Sequence, residues 1–353
     1  MRILFLQQQP CMRALKYAAA LRSVFPSVTL GFAYQGRTLS EWYGSGDELF
    51  VRWWQLGMAP AEDLEAAVSE FRPDLIHGHN LPDSMTALAL ELFSGRIPVV
   101  HDVHDFQSLR QTPYENGFPE PREPLELERL AIEGSAGLVT VSEELLEEIR
   151  KRYASSAPTL LFPNYALRRD LPSVLPEADR RNGDAPRLVY QGTLSTNGGH
   201  YDLREIFRKL VAEGVSLDVY PSRAVPAYAE LAGLRLHATL PPSRLLAALP
   251  AYDFGWAGFN ADLNRAHLDT CLPNKAYEYV GCGLPVLTLG HLALSRFVDA
   301  GGLGVSLATL DNLVGQLAAL DLLELRRRIA AARLELTVEA NIHRLVELYE
   351  TVA

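Results

Sequence analysis

The chain has 353 residues, 43 acidic against 33 basic side chains and a formal net charge of −10. A length of this order suggests two domains, each large enough to bury its own core. The acidic balance excludes a phosphate-neutralising nucleic-acid binder, which needs clustered Lys and Arg, and three scattered cysteines (Cys11, Cys271, Cys282) exclude a disulfide framework or a cysteine zinc site.

Along the chain, short apolar runs alternate with amphipathic stretches. Residues 3–6 read as a buried strand, 13–24 as a helix and 28–32 as a second strand. A helix over 61–71, a strand over 74–77, a helix over 84–93 and a strand over 97–101 follow. Residues 123–133 read as a helix, 137–141 as a strand, and Ser142 caps a helix that runs to about Tyr153. Glu143 and Glu144 in its first turn suit the helix dipole. Residues 160–164 close this half. The stretch 166–186 lacks periodicity and is rich in Arg, Asp, Pro and Gly, which reads as a linker. The alternation restarts with strands over 187–192, 215–220, 234–237, 253–257 and 284–289, and helices over 201–213, 243–249 and 274–282. Residues 323–352 read as mostly helical.

Continuous apolar strands alternating with helices predict two doubly wound, Rossmann-like parallel-sheet domains, an α/β fold in which ligands gather at strand C-termini. The expected division is 1–165, a linker over 166–186, and a second domain over 187–332. The two domains are expected to face each other across a cleft. The initial apolar run is too short for a signal peptide and no stretch approaches the ~18–20 apolar residues of a membrane span, which points to a cytoplasmic protein.

The most informative segment is Cys271-Leu272-Pro273-Asn274-Lys275-Ala276-Tyr277-Glu278-Tyr279-Val280-Gly281-Cys282-Gly283-Leu284-Pro285-Val286-Leu287. It reads as loop, helix, tight turn and strand. Asn274 is expected to cap the helix, whose free N–H groups then form an anion site. Lys275, one of four lysines in the chain, adds a full positive charge there. Glu278, one turn on, is placed to accept hydrogen bonds from two hydroxyls, as from a ribose diol. Phosphate at the helix start with ribose one turn later describes a nucleotide-diphosphate site.

This segment resembles the donor-binding motif of GT-B glycosyltransferases, in particular the retaining family 4. Further pieces resemble that family in the same order: Arg13-Ala14-Leu15-Lys16, Asp74-Leu75-Ile76-His77-Gly78-His79, Val99-Val100-His101-Asp102-Val103-His104-Asp105, Leu138-Val139-Thr140-Val141-Ser142-Glu143, Phe162-Pro163-Asn164, and Leu188-Val189-Tyr190-Gln191-Gly192-Thr193-Leu194. The resemblance covers nearly the whole chain. It implies that Pro273, Asn274 and Lys275 contact diphosphate and donor sugar, that Glu278 holds the ribose, and that Gly192 and Thr193 form the turn against which phosphates lie. It implies a role for His104 beside the donor sugar and acceptor, an acceptor side carrying Arg13 and His79, catalytic weight on His104 and Lys275, and a last helix, 333–353, that crosses back to the N-terminal domain.

The implied activity is transfer of a sugar, with retention, from a nucleotide sugar to a glycan or lipid-linked acceptor, with no metal and no cofactor. The implied setting is the cytoplasm or the inner membrane face, in cell-envelope polysaccharide synthesis. Three departures stand out. Thr270 occupies the place of a second family glutamate eight positions before Glu278, with Asp269 as a candidate replacement. The loop Leu194–His200 lacks the usual cations, and Gln7–Met12 lacks a Gly-Gly. A sugar-nucleotide epimerase and a non-catalytic sugar-nucleotide-binding subunit therefore stay open as alternatives.

Among the remaining features, His77, His79, His101 and His104 fall near strand ends. Without an aspartate-rich donor motif they suggest one functional histidine, His104 or His79, over a metal cluster. The aromatic run Trp42-Tyr43 and Phe50–Trp54 reads as packing under a loop before it reads as an acceptor or lipid surface. Arg150-Lys151-Arg152 and Arg326-Arg327-Arg328 read as solvated helix faces.

Overall fold

The computed structural model describes residues 1–36, 48–112, 114, 120–175 and 185–353. It divides into two compact units, Met1–Pro163 with Val338–Ala353, and Asn164–Thr337.

The first unit is built on a seven-stranded parallel sheet among its described residues, in the order β3-β2-β1-β4-β5-β6-β7. The strands are β1 (Arg2–Gln7), β2 (Thr29–Tyr34), β3 (Arg52–Gln55), β4 (Leu75–His79), β5 (Val99–Val103), β6 (Gly137–Thr140) and β7 (Thr159–Leu161). Its central strands are buried on both faces because helices cover both sides. These are α1 (Met12–Val24), α2 (Pro60–Phe71), α3 (Ser84–Phe93), α4 (Pro124–Gly134) and α5 (Glu143–Arg152). Local chemistry sets the helix starts. Pro60 and Pro124 stand at first-turn positions, Glu123 accepts from the Leu125 and Glu126 amides, and the Ser142 hydroxyl accepts from Leu145 N at 3.0 Å.

Among its described residues the second unit carries a six-stranded parallel sheet, order β10-β9-β8-β11-β12-β13. Its strands are β8 (Arg187–Gly192), β9 (Ser216–Pro221), β10 (Leu234–Leu236), β11 (Phe254–Trp256), β12 (Val286–Leu289) and β13 (Gly304–Leu307). Its helices are α6 (Arg204–Ala212), α7 (Pro242–Ala248), α8 (Arg265–Leu268), α9 (Asn274–Gly281), α10 (Leu292–Gly301), α11 (Leu313–Ala318) and α12 (Leu322–Ala332). A core of Leu188, Tyr190, Phe207, Leu217, Val219, Phe254, Trp256 and Leu287 fills one face of the sheet. The order reverses between β8 and β11, and the C-terminal ends at such a switch point form a crevice.

The expected final helical stretch is two helices. After α12 the chain breaks at 333–337, and α13 (Val338–Val352) packs on α1, β6 and β7 of the first unit. Arg333 marks the break. Its guanidinium is buried and donates to Pro172 O and Gly281 O at 2.8 Å. Residues 166–175 of the expected linker are ordered into the second unit by an Ala166–Thr337 bridge and a turn at Arg168–Asp170; 176–184 lie outside the described residues.

The aromatic run resolves into packing where it is described. Residues 52–55 form edge strand β3, and Trp53 stacks on Phe32 with centroids 4.9 Å apart. Trp42 and Tyr43 lie outside the described residues. Among the described residues no helix is long and apolar enough to cross a membrane.

Candidate active site

In the second unit, β8 ends at Gly192 with φ +127°, a backbone conformation that side-chain-bearing residues rarely adopt. A β-carbon built there would lie 3.5 Å from Lys275 Cε and 3.6 Å from Nζ, so the lysine of α9 reaches to the strand-end turn. Thr193 follows, its carbonyl accepting from the Tyr190 hydroxyl at 2.6 Å. The Lys275 ammonium lies 4.1 Å from the Tyr190 ring centroid and 5.1 Å from that of Phe259, which follows β11. Lys275 is buried, and its Nζ has no hydrogen-bond partner among the described residues. Burial pushes its pKa down to about 7, against which the Glu278 charge pulls only partly. A buried amine with no partner, beside a glycine turn at a switch point, is chemically prepared for an anion.

Asn274 does not cap α9. The N-cap position is Pro273, in extended backbone, and Asn274 is the first helical residue. Proline fits there because its missing N–H is not required, and the following amides still point out of the helix start. Asn164 Nδ2 donates to Leu272 O at 2.7 Å and fixes the incoming loop.

Glu278 is half-buried one turn on, and Gln191 Nε2 donates to its Oε2 at 2.8 Å. Tyr279 ties the same turn to the sheet. Its hydroxyl accepts from Gln191 N at 3.1 Å and lies 3.2 Å from Trp256 O and 3.3 Å from Val189 O. The position eight residues before Glu278 supplies no carboxylate: the Thr270 hydroxyl is buried and donates to His267 O at 2.8 Å. Asp269 is engaged with the Leu292 amide and Arg265 Nε, each at 3.2 Å.

A cation that sequence reasoning missed lies beside the loop after Gly192. Arg204 donates to Thr196 O at 3.2 Å and to both oxygens of Asp202, at 2.7 and 2.8 Å. The signal was Asp202 two residues earlier, since that spacing lets the pair close over the helix start.

In the first unit, His104, Arg13 and His79 gather around Asp102, which is fully buried. Arg13 Nε donates to both Asp102 oxygens at 2.9 Å, and an Arg13 terminal nitrogen donates to Phe162 O at 2.6 Å. The Tyr17 hydroxyl donates to Asp102 Oδ2 at 2.9 Å, and His104 Nδ1 lies 3.3 Å from Oδ1. Burial pushes the Asp102 carboxyl up, but Arg13 and the His104 hydrogen bond overcome it and hold the group well below the ordinary carboxylate range. Sequence reasoning missed Asp102, although it lies two residues before His104 at a strand end.

Arg13 and His79, expected on the acceptor side, are side chains of the interior here. The guanidinium is committed to Asp102 and Phe162 O. His79 stacks on His77 with ring centroids 4.3 Å apart. Burial lowers the His77 pKa to about 3, and burial first, then the neighbouring His77, holds His79 well below its ordinary value, so both rings are neutral near pH 7. His77, His79 and Asp102 bring ligand-type atoms within 4.8 Å of one another. The Arg13–Asp102 pair already balances its own charge, so a divalent ion there would be uncompensated beside a guanidinium. We read the trio as a packed hub whose one charge, on Asp102, is balanced by Arg13. His104, beside this trio, keeps partial exposure, 16% of its side chain.

Residues 14–165 match the sequence model of the Glycosyl transferase 4-like domain. Among solved structures, sucrose-phosphate synthase of Thermosynechococcus elongatus is similar over 100% of this chain and 99% of its own, at 15% identity and a TM-score of 0.65. A glycosyltransferase of Rickettsia africae is similar over 99% and 98%, at 10% identity and a TM-score of 0.68. HepE of Anabaena, solved in complex with UDP and glucose, is similar over 99% and 100%, at 14% identity and a TM-score of 0.69. No curated protein matches in sequence. Residues 14–165 are thus similar to a glycosyl transferase 4-like domain, and the two Rossmann-like units have the fold of the GT-B glycosyltransferases.

Proposed function

We propose that this protein is a glycosyltransferase that moves a sugar from a nucleotide-diphosphate sugar to an acceptor hydroxyl. The observation that carries this reading is the buried, unpartnered Lys275 amine at the first turn of α9, beside Gly192, with Glu278 one turn on. In this reading the departing diphosphate lies on the α9 amides with Lys275 as counter-charge, stabilisation that needs no cofactor. Asn274 and Pro273 shape that turn, Gly192 and Thr193 let backbone approach the phosphates, and Glu278 receives the ribose hydroxyls. His104, held at Nδ1 by Asp102, serves the sugar and acceptor. The complex of HepE with UDP and glucose supports a nucleotide donor. Retention at the anomeric carbon and a glycan or lipid-linked acceptor, met in the cytoplasm or at an inner membrane face, complete the proposal by family analogy.

Incubation with a panel of nucleotide sugars tests it. Sugar transfer or slow donor hydrolysis is expected, with Lys275→Ala losing turnover. Isomerised sugar would mark an epimerase, and binding without turnover a non-catalytic subunit. Glu278→Ala is expected to weaken nucleoside diphosphate binding by about 1–3 kcal/mol through lost charge-assisted hydrogen bonds. Unchanged affinity by calorimetry rejects its ribose role.

A further inference from the structure

Gln191 bonds two consecutive residues of α9. It sits next to the end of β8, is 3% exposed, and belongs to a strand flanked by β9 and β11, so its backbone is fixed. Its main-chain N–H donates to the Tyr279 hydroxyl. That bond survives any change of side chain at this position. Its side-chain Nε2 donates to Glu278 Oε2 at 2.8 Å. The opposite amide orientation would set two acceptor oxygens against each other, so the assignment is chemically determined.

A half-buried glutamate on a helix has several rotamers open to it. A charge-assisted bond from a buried amide on a rigid strand selects one. The remaining acceptor directions of the carboxylate then point along fixed lines. A ribose offers two adjacent hydroxyl donors, and a deoxyribose offers one. A carboxylate held in place discriminates between them, because its geometry is preset for two donors. A swivelling carboxylate turns to whichever hydroxyl is present and discriminates less.

We propose that Gln191 is a specificity-determining positioning residue, whose side-chain amide fixes the Glu278 carboxylate so that the site selects ribonucleoside over deoxyribonucleoside diphosphates. This rests on the reading of Glu278 as the diol-binding carboxylate.

The test is calorimetric titration of the full chain with UDP, ADP and GDP, then with the 2′-deoxy and 3′-deoxy forms of whichever binds. Wild type, Gln191→Leu and Gln191→Asn are compared, with thermal midpoints recorded. Asparagine keeps the amide but is one methylene too short to reach, so it stands in should leucine fail to fold. Wild type is expected to prefer the ribonucleotide by roughly tenfold or more. In both variants the preference is expected to fall below about threefold, mainly through weaker ribonucleotide binding. Equal loss for ribo and deoxy forms, or an unchanged ratio, overturns the proposal and leaves Gln191 a packing residue. A wild type that does not discriminate overturns the ribose role of Glu278, and with it this inference. Failure to bind any of the three diphosphates overturns the nucleotide site as a whole.

Discussion

Lys275 and Arg13 are both buried cations, and their surroundings give them opposite behaviour. Arg13 donates to both oxygens of a carboxylate partner, whereas Lys275 has two aromatic rings and a glutamate to which it donates no hydrogen bond. Burial brings Lys275 down to about 7 from an ordinary value of 10.5. Between those two pH values the unfolded chain binds more protons than the fold, so this group's contribution to stability rises with pH across that window. Lys275→Met is therefore expected to raise the thermal midpoint most at pH 7 and below, with the gain shrinking toward pH 10.5. Melting curves across this range check it, and a variant less stable than wild type at pH 7 contradicts it. In the proposed site a bound diphosphate would restore the ammonium. The phosphodiester groups of a nucleotide sugar do not titrate near neutrality, so its affinity should be flat below about pH 7 and fall about tenfold per unit above. A pH-independent affinity would remove Lys275 from the phosphate site. At the other cation, Arg13→Met leaves Asp102 buried without its counter-charge. It should cost about 3–5 kcal/mol in urea unfolding, and a cost under about 1 kcal/mol would mean that Tyr17 and His104 suffice.

At the scale of elements, α9 is positioned by its tyrosine. Gly255 in β11 leaves the space that the Tyr279 ring fills: a β-carbon there would lie 2.4 Å from two ring atoms. Gly255→Ala should destabilise by about 2–3 kcal/mol, because backbone and ring cannot both yield. Gly290→Ala, with nothing within 4 Å of the new carbon, should stay within about 0.5 kcal/mol. Equal melting of the two variants would refute the docking account. The existence of α9 was legible from Pro273, the apolar spacing and Gly281-Cys282-Gly283. The cap was not, since Asn274 and Pro273 are both favoured at a helix start and only the backbone angles decide between them. Strand β3 was hidden for another reason. Four residues with two tryptophans carry no period, and their pairing with β2 is visible only once Phe32 is in place to stack on Trp53.

For the whole molecule, alternation of apolar strands with amphipathic helices was enough to read two parallel-sheet units, because burial on both sheet faces leaves a continuous apolar signature. A last helix was expected from residue 333, but the turn over 333–337 that delays its start to Val338 was not readable. It depends on Arg333 finding the Pro172 and Gly281 carbonyls, which are 161 and 52 residues away in sequence. The same limit hid the Asp102 hub. Arg13, Tyr17, His77, His104 and Tyr349 are scattered in the sequence and converge only when α1, β4, β5 and α13 pack. At the proposed anion site, Lys275 and Glu278 were legible together because they share one short helix, whereas Gly192, far earlier in the sequence, meets Lys275 only through the packing of β8 and α9. A crystal soaked with a nucleoside diphosphate tests this most directly. The account predicts diphosphate oxygens within hydrogen-bond reach of Lys275 Nζ and the first amides of α9, with a ribose hydroxyl on Glu278. A nucleotide bound elsewhere, with Lys275 still enclosed by Tyr190 and Phe259 and no phosphate beside it, would contradict it.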